Sequence, residues 1–175
     1  MRLVQATRGT TLSFRHRGVG LIACGIAILG IGLDQLVKWA SVAYLTPGQP
    51  VEVLGPLLKL NLIRNPGAAF GMGANATVVF SSFAIIALLA CLGYALPRIT
   101  RLWHSIALGL LMAGITGNLI DRILQPPAPL HGHVVDMFQL PNFAIFNVAD
   151  MCITFAAVII VIMSFVGDRR PEGQS

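Results

Sequence analysis

Charge is what this chain has least of. Asp, Glu, Lys and Arg make up 11% of its 175 residues, while 55% are hydrophobic, and the mean hydropathy is +0.78. A water-soluble domain carries roughly 25% charged residues, so this chain lacks the polar groups to cover a water-facing surface. That argues against an ordinary soluble enzyme and points to a polytopic membrane protein. The net charge of +5 does not suggest a nucleic-acid binder, because the arginines sit in short segments between apolar runs rather than on one polar face.

Cysteine is also sparse. Cys24, Cys91 and Cys152 each lie inside an apolar run, at spacings that match no metal site. An odd number of such thiols argues against a disulfide framework, so they read as packing residues. There is no GxSxG elbow, no HExxH pair and no evident base beside Cys152. His131-Gly132-His133 near Asp136 is read as a solvated loop pair, and no metal is expected. The stretch Leu21-Ile22-Ala23-Cys24 has the form of a lipobox, yet the apolar region before it starts only at Gly18 and continues past it to Leu33. A cleavable leader has a compact apolar region of about 7–15 residues before its cut site, so this segment is expected to be a first membrane span.

What the chain does have is long apolar runs. A spanning helix needs about 20 mostly apolar residues, and four segments qualify: residues 19–44, 76–96, 102–124 and 147–166. The expected fold is an all-α polytopic membrane protein, with one membrane-embedded unit over 18–167 and short tails at 1–17 and 168–175. Eight of the twelve cations (Arg2, Arg8, Arg15, Arg17, Arg98, Arg101, Arg169 and Arg170) fall in the two tails and the connection between the second and third helices. The excess of Lys and Arg marks the cytoplasmic side. The longer loops, 45–75 and 125–146, then face outward. In the first of them, VEVLGPLLKLNLIRN alternates apolar residues about Gly55-Pro56, which predicts a small hairpin or curved sheet at the membrane surface.

Seven acidic residues remain to be placed, and four of them, Asp34, Asp121, Asp136 and Asp150, lie in or beside apolar segments. An ionised group there is costly and by default suggests function. The topology gathers these four toward the outer face together with Asn118, Arg122 and Asn147. Each has a plain reading too. Asn147 and Asp150 have the spacing of a helix cap. Asp34 and Lys38, four apart, suit a local ion pair. Asp121-Arg122 suits an interfacial anchor, and Asn118 a helix–helix hydrogen bond. None of these readings explains Asp136, in the apolar patch VVDMF. A second carboxyl near Asp150 permits a pair that shares one proton and supplies acid and base together. An ion pathway through Asp34 and Asp150 is the rival, but it calls for acids near mid-bilayer, and the sequence puts most of the four acids at helix ends.

Five stretches in order, LDQLVKW (33–39), NPGAAFG (65–71), GITGNLIDR (114–122), HVVDMF (133–138) and FNVAD (146–150), resemble the bacterial lipoprotein signal peptidase family, the type II signal peptidases. The resemblance spans about Leu21 to Val166. It implies four transmembrane helices with both termini cytoplasmic and a small extracytoplasmic β-cradle between the first two. It also implies an aspartic endopeptidase that cuts signal peptides from diacylglyceryl-modified prolipoproteins, just before the lipidated cysteine, in the bacterial inner membrane. Catalysis falls to Asp136 and Asp150, which activate a water without metal or cofactor. Asp34, Lys38, Asn65, Gly67, Asn118, Arg122 and Asn147 map onto substrate-binding or supporting positions, with Asp121 as structural support. The implied partners are the lipid-modified substrate and membrane lipids, with no nucleic acid and no need for more than a monomer.

Overall fold

The computed structural model describes residues 4–67, 77–127 and 129–167, with backbone alone over 4–17. Helix α1 runs Val4–Tyr44, α2 Thr77–Ala90, α3 Leu102–Leu124 and α4 Val148–Gly167. Strands β1 (Val51–Glu52) and β2 (Lys59–Asn65) lie between α1 and α2, and β3 (Val134–Gln139) lies between α3 and α4. Four segments are long and apolar enough to cross a membrane: Gly18–Tyr44, Thr77–Arg98, Leu102–Leu124 and Val148–Val166. The first of these matches the expected 19–44, and helix α1 continues N-terminally of it to Val4. Helix α2 leaves regular α geometry after Ala90, continuing as a π turn over Cys91–Ala95 and a 3-10 turn over Leu96–Arg98, where Pro97 cannot supply a backbone donor.

Helix α3 is the centre of the bundle. Over half of its most apolar window is buried inside the protein, against 17% or less for the other three spans. Small residues make this possible, because without a hydrophobic drive between helices in lipid, close backbone approach is what holds them together. A Cβ on Gly114 would collide with the Ala149 carbonyl oxygen of α4, and one on Gly117 would stand 2.6 Å from Asp34 Oδ2 on α1. The opposite faces of α1, α2 and α4 present exposed Leu29, Leu36, Phe83, Ile86, Phe155 and Phe165, as expected of surfaces that meet acyl chains.

The predicted hairpin is present. Gly55 adopts φ +54°, a conformation that costs glycine nothing, and Val53 N–H closes the turn onto Leu58 O at 3.0 Å. The cradle is nevertheless more than a hairpin between the first two helices. The second outer loop, in which the sequence pattern placed no strand, supplies a third antiparallel strand, giving the order β1-β2-β3. Its register pairs Ile63 with Asp136 and Asn65 with Val134, across a bulge between Leu60 and Ile63. Leu62, Val135 and Met137 are buried against Val37 and Leu45 at the end of α1, so the sheet is fastened onto the helices at one end of the bundle.

Candidate active site

The capping and acidic readings of FNVAD turn out to be one arrangement. Asn147 Oδ1 accepts the Asp150 N–H at 2.9 Å, and Asp150 Oδ2 accepts the Asn147 N–H at 3.1 Å, a reciprocal capping box at the start of α4. This cap fixes the Asp150 carboxyl and leaves its second oxygen facing inward, where Asn118 Nδ2 donates to Oδ1 at 2.8 Å. The amide of Asn147 then reaches the other acid: its Nδ2 donates to Asp136 Oδ1 at 2.6 Å and to Asn118 Oδ1 at 3.0 Å. Asp136 Oδ2 accepts from Asn65 Nδ2 at 3.0 Å. Asn147 therefore bridges two carboxyls that reach it from a strand and from a helix.

Asp136 is 2% exposed. Burial pushes its carboxyl up to about 7 and the charge of Asp150 acts in the same direction, while the amide donors of Asn65 and Asn147 pull against them. Desolvation disfavours the charged form, and a neighbouring like charge reinforces it.

Behind this pair lies a second, fully enclosed cluster. Lys38 Nζ stands 2.9 Å from Asp34 Oδ2 and 2.8 Å from Asp121 Oδ2. It also donates to Asn118 Oδ1 at 3.1 Å and to Gly117 O at 3.3 Å. Asp34 and Asp121 each hold a backbone N–H as well, that of Ala149 at 2.8 Å and that of Val135 at 3.0 Å respectively. Arg122 points the other way, donating through Nη2 to Gly67 O at 2.9 Å. Its Nη1 is buried without a hydrogen-bond partner among the described residues.

A cavity of about 640 Å³ opens beside the pair, lined by Asn65, Gly67, Asn118, Arg122, Asp136 and Asp150 on its polar side. Leu140, Phe143, Phe146, Met151 and Phe155 form much of its apolar side. Phe146 packs edge-on against Phe143 with ring centroids 5.8 Å apart. Met151 and Phe155 are also exposed on the outside of α4, so the cavity reaches the surface that faces lipid. A volume of this size suits a ligand with a substantial apolar part.

Known proteins share the sequence and the fold of this chain. The family model described as Peptidase_A8, signal peptidase (SPase) II, matches residues 26–166. The chain belongs to the signal peptidase II family. It is 38% identical over 153 residues to the lipoprotein signal peptidase of Mycolicibacterium smegmatis, covering 83% of this chain and 65% of that protein. It is 39% identical over 165 residues to that of Streptomyces coelicolor, covering 91% and 78% respectively. A bacterial membrane enzyme solved by the in meso method at 2.3 Å resolution superposes with a TM-score of 0.78 at 29% identity, over 87% of this chain and 93% of that one. A second, solved at 1.9 Å, gives 0.70 at 32% identity, over 80% and 90%.

For this signal peptidase II family member, every site residue named from sequence lies in one of the two adjoining clusters. Asp136, Asp150, Asn65, Gly67, Asn118 and Arg122 line the cavity. Asn147 bridges the two carboxyls. Asp34 and Lys38 lie behind them with Asp121. Residues 68–71 of the NPGAAFG stretch fall outside the described residues. Sequence reasoning missed Gln35, whose Nε2 donates to Asp34 Oδ2 and Gly117 O, both at 3.1 Å. It also missed the apolar wall, where Phe143 and Phe146 come from a short loop with no periodicity to reveal them and Met151 and Phe155 come from α4.

Proposed function

We propose that this protein is an aspartic endopeptidase that removes the signal peptide from prolipoproteins, cutting on the N-terminal side of a cysteine that already carries a diacylglyceryl group. The observation that carries this reading is the meeting of Asp136, from β3, and Asp150, from α4, at Asn147, whose side-chain amide donates to the first carboxyl and whose backbone N–H donates to the second, beside a cavity that is polar on one side and apolar on the other. Asp136, held up at about 7, keeps the shared proton. Asp150 takes a proton from a water held between them. The resulting hydroxide attacks the scissile carbonyl carbon, and Asp136 delivers its proton to the departing cysteine nitrogen as the peptide C–N bond breaks. The pair ends with its proton moved from one carboxyl to the other, and a later exchange with water resets it. Acid and base both come from the protein, so the step calls for no metal or cofactor.

The Nη1 of Arg122, without a partner among the described residues, offers a donor to a backbone carbonyl of the bound peptide, which would complete its hydrogen bonding. The apolar wall along α4 takes the acyl chains, which then stay in the bilayer while the scissile bond reaches the carboxyls. The arginine-rich segments face the cytoplasm, which puts the sheet and the site at the outer face of a bacterial cell membrane, in a protein working as a monomer.

Incubating the purified protein with a diacylglyceryl prolipoprotein tests this. Cleavage is expected from the wild type, and a loss of about 10²–10⁴-fold from Asp136→Asn or Asp150→Asn, both still inserted and folded. A fully active Asp150→Asn protein would leave that residue with its capping role alone.

A further inference from the structure

The cluster behind the carboxyl pair touches no part of the cavity, yet its contacts converge on the pair from three directions. Lys38 is 3% exposed and lies between Asp34 and Asp121, which are 0% and 2% exposed. Asp34 grips the N–H of Ala149, the residue immediately before Asp150. Asp121 grips the N–H of Val135, the residue immediately before Asp136. One ammonium thus joins the two carboxylates that hold the strand and the helix on which the reacting acids are mounted.

The third contact concerns orientation. Asn118 Oδ1 is engaged by Lys38 Nζ at 3.1 Å and by Asn147 Nδ2 at 3.0 Å. Both are donors, and an ammonium accepts nothing, so the Asn118 side chain cannot flip without placing its own NH2 against them. Its Nδ2 is thereby committed to Asp150 Oδ1.

We propose that Lys38 is a positioning residue for peptide cleavage, fixing through Asp34 and Asp121 the spacing of the elements that carry Asp136 and Asp150, and through Asn118 the direction of the donor to Asp150. The inference rests on the proposed peptidase activity. It assigns Lys38 no contact with substrate. A buried ion cluster of this kind adds little net stability, because desolvation offsets much of the Coulomb attraction. What it supplies is direction, since the three N–H donors of the ammonium are shared among two carboxylates and two carbonyl oxygens that surround it.

The test is steady-state cleavage of a synthetic diacylglyceryl prolipoprotein peptide by the full-length protein in detergent micelles. The proteins compared are wild type, Lys38→Met, Asn118→Ala and the double variant. A misplacement of about 1 Å can cost about 10²-fold in rate, so Lys38→Met is expected to lower kcat by about that factor with KM within about threefold. The loss in the double variant should be smaller than the product of the two single losses, because Lys38 acts in part through Asn118 and coupled residues are not additive. A raised KM with unchanged kcat would make Lys38 a substrate ligand, and either multiplied losses or an unaffected Lys38→Met would also overturn the proposal. Lys38→Met strands two buried carboxylates. If it does not fold, the neutral combination Lys38→Met with Asp34→Asn and Asp121→Asn replaces it in the same cycle, since both amide oxygens still accept the backbone N–H groups. A wild type that leaves the peptide intact would refute the peptidase reading itself, whereas an active wild type with an unaffected Lys38 variant refutes this inference alone.

Discussion

Helices α1 and α3 pack against each other along their length, but the two ends of that contact are made of different material. Away from the sheet, Ala23 and Ala27 of α1 meet Leu108 and Met112 of α3, with Cys91 and Ile99 completing an apolar core. Toward the sheet, the same helices meet through Asp34, Lys38, Asn118 and Asp121. Lipid tails are as apolar as leucine, so apolar packing between spans selects close fit rather than exact angle. Hydrogen bonds and ion pairs fix angles as well as distances. The apolar end holds the bundle together, and the polar end aims two carboxyls at one point.

Substitutions can break this contrast in graded steps. The largest loss is expected at the pair itself: Asp136→Asn and Asp150→Asn each remove a proton-transfer partner, an effect of about 10²–10⁴-fold in acid–base catalysis, while thermal unfolding stays cooperative. Lys38→Met comes next, through kcat alone. Truncation at the other end should reverse the pattern. Met112→Ala is expected to lower stability by about 2 kcal/mol, the low end for emptying a packed site, with kcat within a few-fold of wild type as measured on the folded fraction. If Met112→Ala removes activity without loss of stability, the division of labour between the two ends is wrong.

A pH series gives a smaller effect with a definite sign. Asp136 has its folded value raised from 3.8 to about 7, so the folded protein binds this proton more tightly than the unfolded chain. Its contribution to stability is therefore greatest at low pH, declines as pH rises from about 3.8 to about 7, and is level above that. Activity that needs the proton should fall as pH rises through about 7, and Asp136→Asn should abolish the stability slope in that window. The smallest effect is expected at the edge of the sheet. Lys59 and Glu52 form a 2.8 Å ion pair, but the Glu52 side chain is 58% exposed, and Glu52→Gln should change stability by less than about 1 kcal/mol.

Much of this was legible in the residues. The four spans declare themselves because continuous apolar length is a local property. The hairpin declares itself through alternation about Gly55. Strand β3 did not, and the reason is physical. A strand buried on both faces has no polar alternation, and Val134 to Met137 are all buried, so VVDMFQ reads as a short apolar patch with an unexplained acid in it. FNVAD was ambiguous for a different reason: a cap and a reacting carboxyl use the same residue types at the same spacing, and here one side chain both caps α4 and lines the cavity.

The order of apolar runs, the loops that bear charge and the few acids that escape both were set by the sequence alone, because hydropathy and the cost of a charge in lipid act residue by residue. That Asp136 and Asp150 both accept from Asn147, that Lys38 stands behind both, and that the cavity is apolar toward α4 depend on the packing of α1, α3, β3 and α4 around Gly114 and Gly117. Only tertiary structure decides such things, since a hydrogen bond between residues distant in the chain exists only once other contacts have brought them within three ångströms or so.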